Sequence, residues 1–147
     1  MNHYAVDLAQ TVLIAHDDAD LRDLYREFLA KHGYEVETSS DGLDCLKKLR
    51  MATPAVLVLD LELRWGGDGI LAWLREENPS HEVSIILTAT AGRPRAFAHF
   101  IEPPVVDFLL KPFALTALLE KVRSAVAEGT PRGPSQPYRV CPEFFIG

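Results

Sequence analysis

The sequence predicts an α/β fold in which a doubly wound, five-stranded parallel sheet carries helices on both faces. Three observations predict this fold class. Short, fully apolar runs at 11–15 and 55–59 are typical of strands that are buried on both faces. Five strand-like segments alternate with segments whose apolar residues recur at helical spacing. The chain of 147 residues has the length of one domain, so we expect one sheet with right-handed crossovers.

The first half of the chain contains two helices and two strands of this pattern. The strand at 11–15 precedes a helix for which Asp20 is the expected N-cap and Gly33 the end. The apolar residues of that helix are Leu21, Leu24, Tyr25, Phe28 and Leu29. Segment 34–38 alternates apolar and polar residues, which predicts an edge strand with one wetter face. A second helix is predicted over 41–50. Leucines line one side of it: Leu43, Leu46 and Leu49.

The second half begins with the most apolar run, 55–59, which we expect to be the central strand. The segments that follow are a loop at 61–69, a helix ending near 78, a strand at 83–87, a short helix at 93–101, a strand at 105–110 and a last helix. The third helix is lined by Ile70, Leu71 and Leu74, and the last by Leu115, Leu118, Leu119, Val122 and Val126.

Composition limits the class of protein. We expect a lead-in at 1–10, one domain at 11–127 and a Pro- and Gly-rich tail at 128–147. The net charge of −6, without a Lys/Arg block, argues against direct nucleic-acid binding. No apolar stretch reaches the ~20 residues of a membrane span, and no signal peptide is evident. Cys45 and Cys141 are expected to be free thiols, Cys45 semi-buried, in a reducing cytoplasm.

Polar residues follow several predicted strands, where parallel strands bring their carboxyl ends together. These are Asp17, Asp18, Asp60, Thr88 and Lys111. Three carboxylates repel one another unless a cation joins them, and Mg²⁺ prefers such hard oxygen ligands. A carboxylate can also accept a phosphoryl group as an aspartyl phosphate. The ammonium and the hydroxyl can stabilise its charged oxygens.

Each residue also has a plainer interpretation. Acidic residues after strands often cap helices, and an Asp-Asp pair is more often a solvated turn than a metal site. Taken alone, Lys111 is typical of a surface lysine and Thr88 of a strand-end hydroxyl bonded to backbone. Asp60 is harder to explain in this way, since it ends the most apolar strand. The joint placement of these residues at the ends of four strands favours the functional interpretation.

With these motifs in place, the chain resembles a response-regulator receiver domain over residues 10–127. The matching pieces are VLIAHDD at 12–18, VLVLD at 56–60, IILTA at 85–89 and DFLLKPF at 107–113. The resemblance implies the flavodoxin-like strand order 2-1-3-4-5. It also implies a phosphorelay protein that takes a phosphoryl group from a sensor histidine kinase or a phosphotransfer protein and then signals to a downstream protein.

The resemblance implies a role for each site residue. Asp60 would be the phosphoacceptor, with Mg²⁺ bound directly by Asp18, by Asp60 and by the backbone carbonyl of Glu62. Asp17 would act through a metal-bound water, and Lys111 would pair with the phosphoryl oxygens. The remaining two roles belong to Thr88 and Phe108: Thr88 would move to bond the phosphoryl group and Phe108 would shift with it, although plain core packing of Phe108 is equally compatible. The peptide bond between Lys111 and Pro112 would be cis.

Departures from the family pattern concern the loop at 61–69, which lacks a proline and is one residue longer. Trp65 is expected to pack on the sheet edge, or alternatively over the phosphorylation pocket. The acidic Glu62 side chain lies near the expected metal. The helix at 93–101 is expected to be short. We expect no output domain after residue 127, and therefore signalling through the surface of the domain itself.

Three functions are compatible with these residues. The leading hypothesis is a phosphorylation-controlled binding module that has no external substrate and is therefore not an enzyme in the usual sense. A degenerate receiver, acting only as a protein-interaction module, is the alternative. A phosphatase of the haloacid-dehalogenase kind ranks last, because its nucleophile lies in the first strand, whereas here the acidic pair comes first.

Overall fold

The computed structural model describes residues 11–77, 83–90 and 103–128. The described elements are β1 (Thr11–Ala15), α1 (Ala19–Lys31), β2 (Glu35–Ser39), α2 (Gly42–Met51), β3 (Val56–Asp60), α3 (Gly67–Glu77), β4 (Ser84–Thr90), β5 (Val105–Lys111) and α4 (Leu115–Glu128). The short helix predicted at 93–101, the lead-in at 1–10 and the tail beyond Glu128 lie outside the described residues. The predicted domain boundaries stay predictions.

The five strands form one parallel sheet in the order β2-β1-β3-β4-β5. This order confirms the predicted fold class, with β3 in the centre and β2 at an edge. The burial patterns follow from these positions. Every residue of β3 is buried, whereas β2 alternates between exposed and half-buried residues before its buried last residue. The difference in composition between the two runs therefore reports their places in the sheet.

Helices cover both faces of the sheet. Successive strand residues point to opposite faces, so odd-numbered and even-numbered residues of β1 and β3 pack against different helices. On one face, α2 and α3 pack through Cys45, Leu49, Ile70, Leu71 and Leu74 against odd-numbered residues of β1 and β3. On the other face, α1 and α4 pack through Tyr25, Leu29, Leu118 and Val122 against even-numbered residues of those strands. Both faces therefore need apolar side chains. None of the described helices is long and apolar enough to cross a membrane.

The N-cap of helix α1 lies two residues earlier than predicted. Asp18, and not Asp20, is its N-cap, since Asp18 Oδ1 accepts hydrogen bonds from the backbone N–H groups of Asp20 and Leu21. The predicted end is confirmed. Gly33 follows the C-cap residue His32 with φ of 97°, a left-handed conformation that glycine adopts without a steric penalty.

Two leucines that were expected on apolar helix faces are exposed. Leu43 of α2 is 64% exposed because the buried stripe of that helix runs through Cys45 and Leu49, and Leu43 lies about 200° around the helix from Cys45. Leu24 is likewise exposed beside the buried pair Tyr25 and Leu29 of α1. Cys45 is fully rather than partly buried, and burial raises the pKa of its thiol to about 12.

Candidate functional site

The carboxyl ends of three strands bring Asp60, Thr88 and Lys111 into contact, as predicted. In the sheet register Asp60 lies opposite Thr88, and two residues further along β4 Thr90 lies opposite Lys111. Lys111 Nζ is 3.0 Å from Asp60 Oδ2, and Thr88 Oγ1 donates to Asp60 Oδ1 across 3.3 Å. An ammonium and a hydroxyl therefore approach the two oxygens of one carboxylate.

Asp60 itself is almost completely buried, with 1% of its surface exposed. A buried carboxylate is unfavourable unless charged or hydrogen-bonding groups surround it. Besides Lys111 and Thr88, the backbone N–H of Glu62 approaches Asp60 Oδ1 at 3.4 Å. The Lys111 side chain is partly exposed. Solvent therefore reaches the site on the side of the Lys111 ammonium.

The two acids after β1 separate in the structure. Asp17 belongs, with His16 and Asp60, to a group whose ligand atoms lie within 4.8 Å of one another. Asp18 is outside that group and caps α1. The predicted placement of Asp18 beside Asp60 is therefore corrected: the structure places Asp17, and not Asp18, with Asp60. The roles of the two acids as metal ligands stay predictions.

The sheet register gives the physical reason for this correction. Ala15 lies opposite Leu59, so the next residues of the two chains, His16 and Asp60, face each other. Asp17 comes one residue later, still at the strand end. At Asp18 the chain enters the helix, and the Asp18 carboxylate accepts hydrogen bonds from backbone N–H groups of the first helical turn.

His16 is a site residue that the sequence-based interpretation missed. It is 5% exposed, its Nε2 lies 3.6 Å from Asp60 Oδ2, and its Nδ1 lies 3.7 Å from Asp17 Oδ1. Burial lowers the pKa of the imidazole, against the opposing effect of Asp60. The available signal was positional: His16 directly follows the apolar run of β1, just as Asp60 directly follows that of β3.

Glu62 places a further carboxylate beside the ammonium. Glu62 Oε1 is 3.6 Å from Lys111 Nζ, and Glu62 Oε2 accepts a 2.8 Å hydrogen bond from Thr90 Oγ1. Lys111 is thus shared between two acids, with the shorter contact to Asp60. The predicted cis peptide bond between Lys111 and Pro112 is confirmed. Metal ligation by the backbone carbonyl of Glu62 stays a prediction.

The loop after β3 is shaped by close backbone contacts. Gly42 donates its N–H to the carbonyl of Arg64, and a Cβ at Gly42 would overlap the carbonyl oxygen of Trp65. Trp65 has φ of 67° and is 67% exposed, so its expected packing on the sheet edge is wrong. Helix α3 begins at Gly67, two residues before the predicted end of the loop.

Phe108 lies in the core on the face that α2 and α3 cover. In the register of β4 and β5 it is opposite Leu87, one residue before Thr88. Its ring is buried, as either core packing or an inward switch position would require. The predicted switching of Phe108 together with Thr88 stays a prediction.

The residues at this edge fit a divalent cation. Asp17 and Asp60 offer hard carboxylate oxygens, and the ligand atoms of the group are close enough to share one ion. Mg²⁺ keeps several waters in such sites, so two carboxylates are sufficient protein ligands. A cavity of about 550 Å³ lies at the opposite end of β1, lined by Thr11, Glu35 and Pro54 among others, and contains none of the predicted site residues.

Comparison with known proteins identifies the family. The sequence profile described as "Response regulator receiver domain" matches residues 12–123. The chain belongs to this family. Receiver domains act in two-component signalling, in which histidine kinases or phosphotransfer proteins are the partners of the family.

The curated relatives of this receiver domain are longer proteins. The response regulator MprA of Mycobacterium leprae is 31% identical over 121 residues, which cover 82% of this chain and 52% of that protein. The response regulator RR06 of Streptococcus pneumoniae is 27% identical over 116 residues, which cover 78% of this chain and 52% of that protein. The chain therefore spans about half the length of the curated relatives it matches.

Solved structures agree with the fold. The receiver domain of a LuxO repressor homologue from Vibrio parahaemolyticus superposes with a TM-score of 0.75 at 23% identity, covering 82% of this chain and 92% of that one. TrrA from Thermotoga maritima, solved in complex with Mg²⁺ and a beryllium fluoride, gives a TM-score of 0.69 at 24% identity, covering 79% of this chain and 98% of that one. These similarities support the same order of strands and helices.

Proposed function

We propose that the chain is a phosphoacceptor receiver, which takes a phosphoryl group on Asp60 from the phosphohistidine of a sensor kinase or a phosphotransfer protein. The observation that carries the proposal is the buried Asp60 carboxylate between Lys111 at 3.0 Å and Thr88 at 3.3 Å. One charged and one neutral donor stand where negative charge would develop on a transferred phosphoryl group. As predicted from the sequence, we expect it to act in the cytoplasm, without direct contact to nucleic acid or membrane.

The transfer forms one bond and breaks one bond. An oxygen of Asp60 attacks the phosphorus of the donor, the phosphorus–nitrogen bond to the donor imidazole breaks, and that imidazole leaves with the electron pair. Lys111 and Thr88 donate to the phosphoryl oxygens and keep the protons they carry. Asp17 and Asp60 would hold Mg²⁺, which neutralises negative charge on the phosphoryl oxygens when it is bound.

Loss of the phosphoryl group would use water, in place of Asp60, as the nucleophile. Water attacks the phosphorus of the aspartyl phosphate, the bond between phosphorus and the Asp60 oxygen breaks, and inorganic phosphate leaves as the Asp60 carboxylate is restored. We therefore expect a domain that acts on its own aspartyl phosphate and is not an enzyme in the usual sense. The acidic Glu62 side chain, 3.6 Å from Lys111, lies on the exposed side of the site. Signalling without an output domain, expected from the sequence, stays a prediction.

The test is incubation of the intact chain with Mg²⁺ and acetyl phosphate, followed by mass measurement. We expect one added phosphoryl group, which hydroxylamine removes because the bond is an acyl phosphate. Asp60→Asn should abolish the adduct. Asp107→Asn is the matched control, since Asp107 also pairs with a lysine at 3.0 Å but lies away from the strand ends. An adduct that persists unchanged in Asp60→Asn contradicts the proposal.

A degenerate, phosphorylation-independent interaction module is the second candidate. One observation favours it: the residue facing Asp60 across the sheet register is the neutral His16 rather than an acid, which leaves one carboxylate fewer for a cation. Isothermal titration with Mg²⁺ and beryllofluoride separates the two candidates. Binding of the phosphoryl mimic to wild type, lost in Asp60→Asn, supports the phosphoacceptor, and absence of binding supports the interaction module.

A further inference from the structure

His16 is held rigidly beside the proposed phosphoacceptor. Its backbone N–H donates to the carbonyl of Ser39 at 3.1 Å, and its carbonyl accepts a 2.8 Å hydrogen bond from Arg22. The imidazole stands edge-on to the ring of Tyr25, with the two centroids 6.1 Å apart. These contacts fix both the backbone and the ring, so the direction in which each ring nitrogen points is set by the fold.

The hydrogen bonding of the ring assigns its proton. The backbone N–H of Asp18 donates to His16 Nδ1 across 3.0 Å, so Nδ1 is an acceptor and carries no proton. In the neutral imidazole the proton is therefore on Nε2. This N–H lies 3.6 Å from Asp60 Oδ2, which is too long for a hydrogen bond.

The Nε2–H group is thus a buried donor aimed at Asp60 without an acceptor. Within the described residues, Nε2 has no hydrogen-bond partner. Buried donors are nearly always paired in proteins, and an unpaired one is unfavourable until an acceptor reaches it. Asp60 Oδ2, 3.6 Å away, is out of hydrogen-bond range, so an acceptor for His16 has to come closer than this oxygen, and a phosphoryl group on Asp60 would add oxygens at this point.

We propose that His16 is a catalytic residue whose Nε2–H donates a hydrogen bond to an oxygen of the phosphoryl group at Asp60. This inference rests on the proposed phosphorylation of Asp60. His16 would act as a third donor beside Lys111 and Thr88, on the side of β1. It donates a hydrogen bond only: during the transfer its proton stays on Nε2, and bond formation and cleavage occur at the phosphorus.

Metal ligation through the same nitrogen is the competing role, because His16 belongs to the group that can share an ion. A metal on Nε2 would require the proton to sit on Nδ1. The N–H of Asp18 already points at Nδ1, so ligation would set two donors against each other. The observed hydrogen bond therefore favours the donor role over the ligand role.

The decisive measurement is nuclear magnetic resonance of the intact wild-type chain with ¹⁵N-labelled histidine, in which the His16 ring is assigned through bonds to its own backbone. We expect the proton on Nε2, little change in Nε2 with Mg²⁺ alone, and a downfield shift of its proton when Mg²⁺ and beryllofluoride are added together. A proton on Nδ1, a ligand-type shift of Nε2 with metal alone, or no response to beryllofluoride would each overturn the proposal.

Variants supply the kinetic test. His16→Met keeps the length and the apolar contacts but removes the donor, and we expect the maximal rate of phosphorylation by acetyl phosphate to fall about tenfold, while the Mg²⁺ affinity stays unchanged. His16→Gln restores an N–H near the Nε2 position and should recover most of the rate. Equal rates in wild type and His16→Met contradict the donor role.

Failure of this inference is distinguishable from failure of the proposed function. If wild type is phosphorylated, Asp60→Asn is not, and His16→Met matches wild type, only the role of His16 is rejected. If wild type neither accepts a phosphoryl group nor binds beryllofluoride, the proposed function is rejected, and the role of His16 is rejected with it. Circular dichroism of each variant confirms that the comparison is made between folded proteins.

Discussion

Two aspartate–lysine pairs with the same 3.0 Å separation lie in different parts of this domain. Asp60 pairs with Lys111 at the carboxyl ends of β3 and β5, and Asp107 pairs with Lys121 between β5 and α4. In the second pair Asp107 Oδ1 accepts both from Lys121 and from the backbone N–H of Phe108. Those contacts tie a strand to the helix packed against it.

The first pair has a different environment. The Asp60 side chain is 2% exposed, against 12% for Asp107, and donors from other strands approach both of its oxygens. His16 faces it from β1, and Asp17 brings a second carboxylate within range of a shared cation. An ion pair alone therefore does not distinguish Asp60 from Asp107. The distinguishing feature of Asp60 is that several strand ends converge on one buried carboxylate.

Replacement of each lysine is expected to separate the two ion pairs most clearly. Lys111→Met should slow phosphorylation of Asp60 by acetyl phosphate about 100-fold, because it removes a charged donor from the developing phosphoryl charge. Lys121→Met should leave that rate within about twofold, and should lower the free energy of unfolding by about 1–3 kcal/mol in urea titrations. Equal loss of rate in both variants would contradict the functional distinction.

The neighbouring acids Asp17 and Asp18 give the next largest contrast. Asp17→Asn should weaken Mg²⁺ binding at least about tenfold in isothermal titration, because it removes a charged oxygen ligand close to Asp60. Asp18→Asn should leave the affinity unchanged, since Asn caps a helix as well as Asp does. The reverse result would support Asp18 as the direct ligand.

A smaller effect is expected from the hydroxyl. Thr88→Val removes the donor that reaches Asp60 Oδ1 and should slow phosphorylation about tenfold, less than a charged donor would because the contact is long at 3.3 Å. Thr90→Val is the control, since Thr90 donates to Glu62 and not to Asp60. Stopped-time mass measurements on both variants, with Thr88→Ser as a rescue, would test the assignment. A Thr88→Val rate equal to wild type argues against it.

Substitution of two glycines in α3 tests the close contact between the start of this helix and the backbone of Asp60. A Cβ at Gly67 would lie 2.6 Å from the carbonyl oxygen of Asp60, so Gly67→Ala should cost about 1–3 kcal/mol of the free energy of unfolding. Gly69, in the same helix, has open space at the Cβ position. Gly69→Ala should therefore raise stability by about 0.5–1 kcal/mol. Thermal or urea unfolding of the pair decides, and equal effects would show that the contact is unimportant.

The strands and most helices of the described fold were predictable because their signals are local. The fully apolar run of β3 and the alternation in β2 encode how many faces of each strand are buried, and this confirmed the central and edge positions. Helix boundaries were less reliable. Asp18 and Asp20 are both good N-caps by residue type, and only the path of the chain after β1 selects Asp18.

Side-chain exposure was harder to predict where tertiary packing decides it. Leu43 matches a helical stripe by spacing but points away from the stripe that reaches the sheet. Trp65 was expected to be covered, yet the tight approach of the loop to Gly42 fixes its backbone and leaves its ring in solvent. Apolar character alone does not identify which residues find a packing partner.

The fold class, the central position of β3 and the positions of three polar residues at strand ends follow from periodicity and chain order, which depend on near neighbours in the sequence. These three residues are Asp60, Thr88 and Lys111. The proximity of His16 and Asp17, rather than Asp18, to Asp60 follows from the packing of strands that are distant in sequence. The physical reason is register. One residue along a strand changes the direction of a side chain, and hydrogen bonds between strands distant in sequence set which residues stand opposite each other.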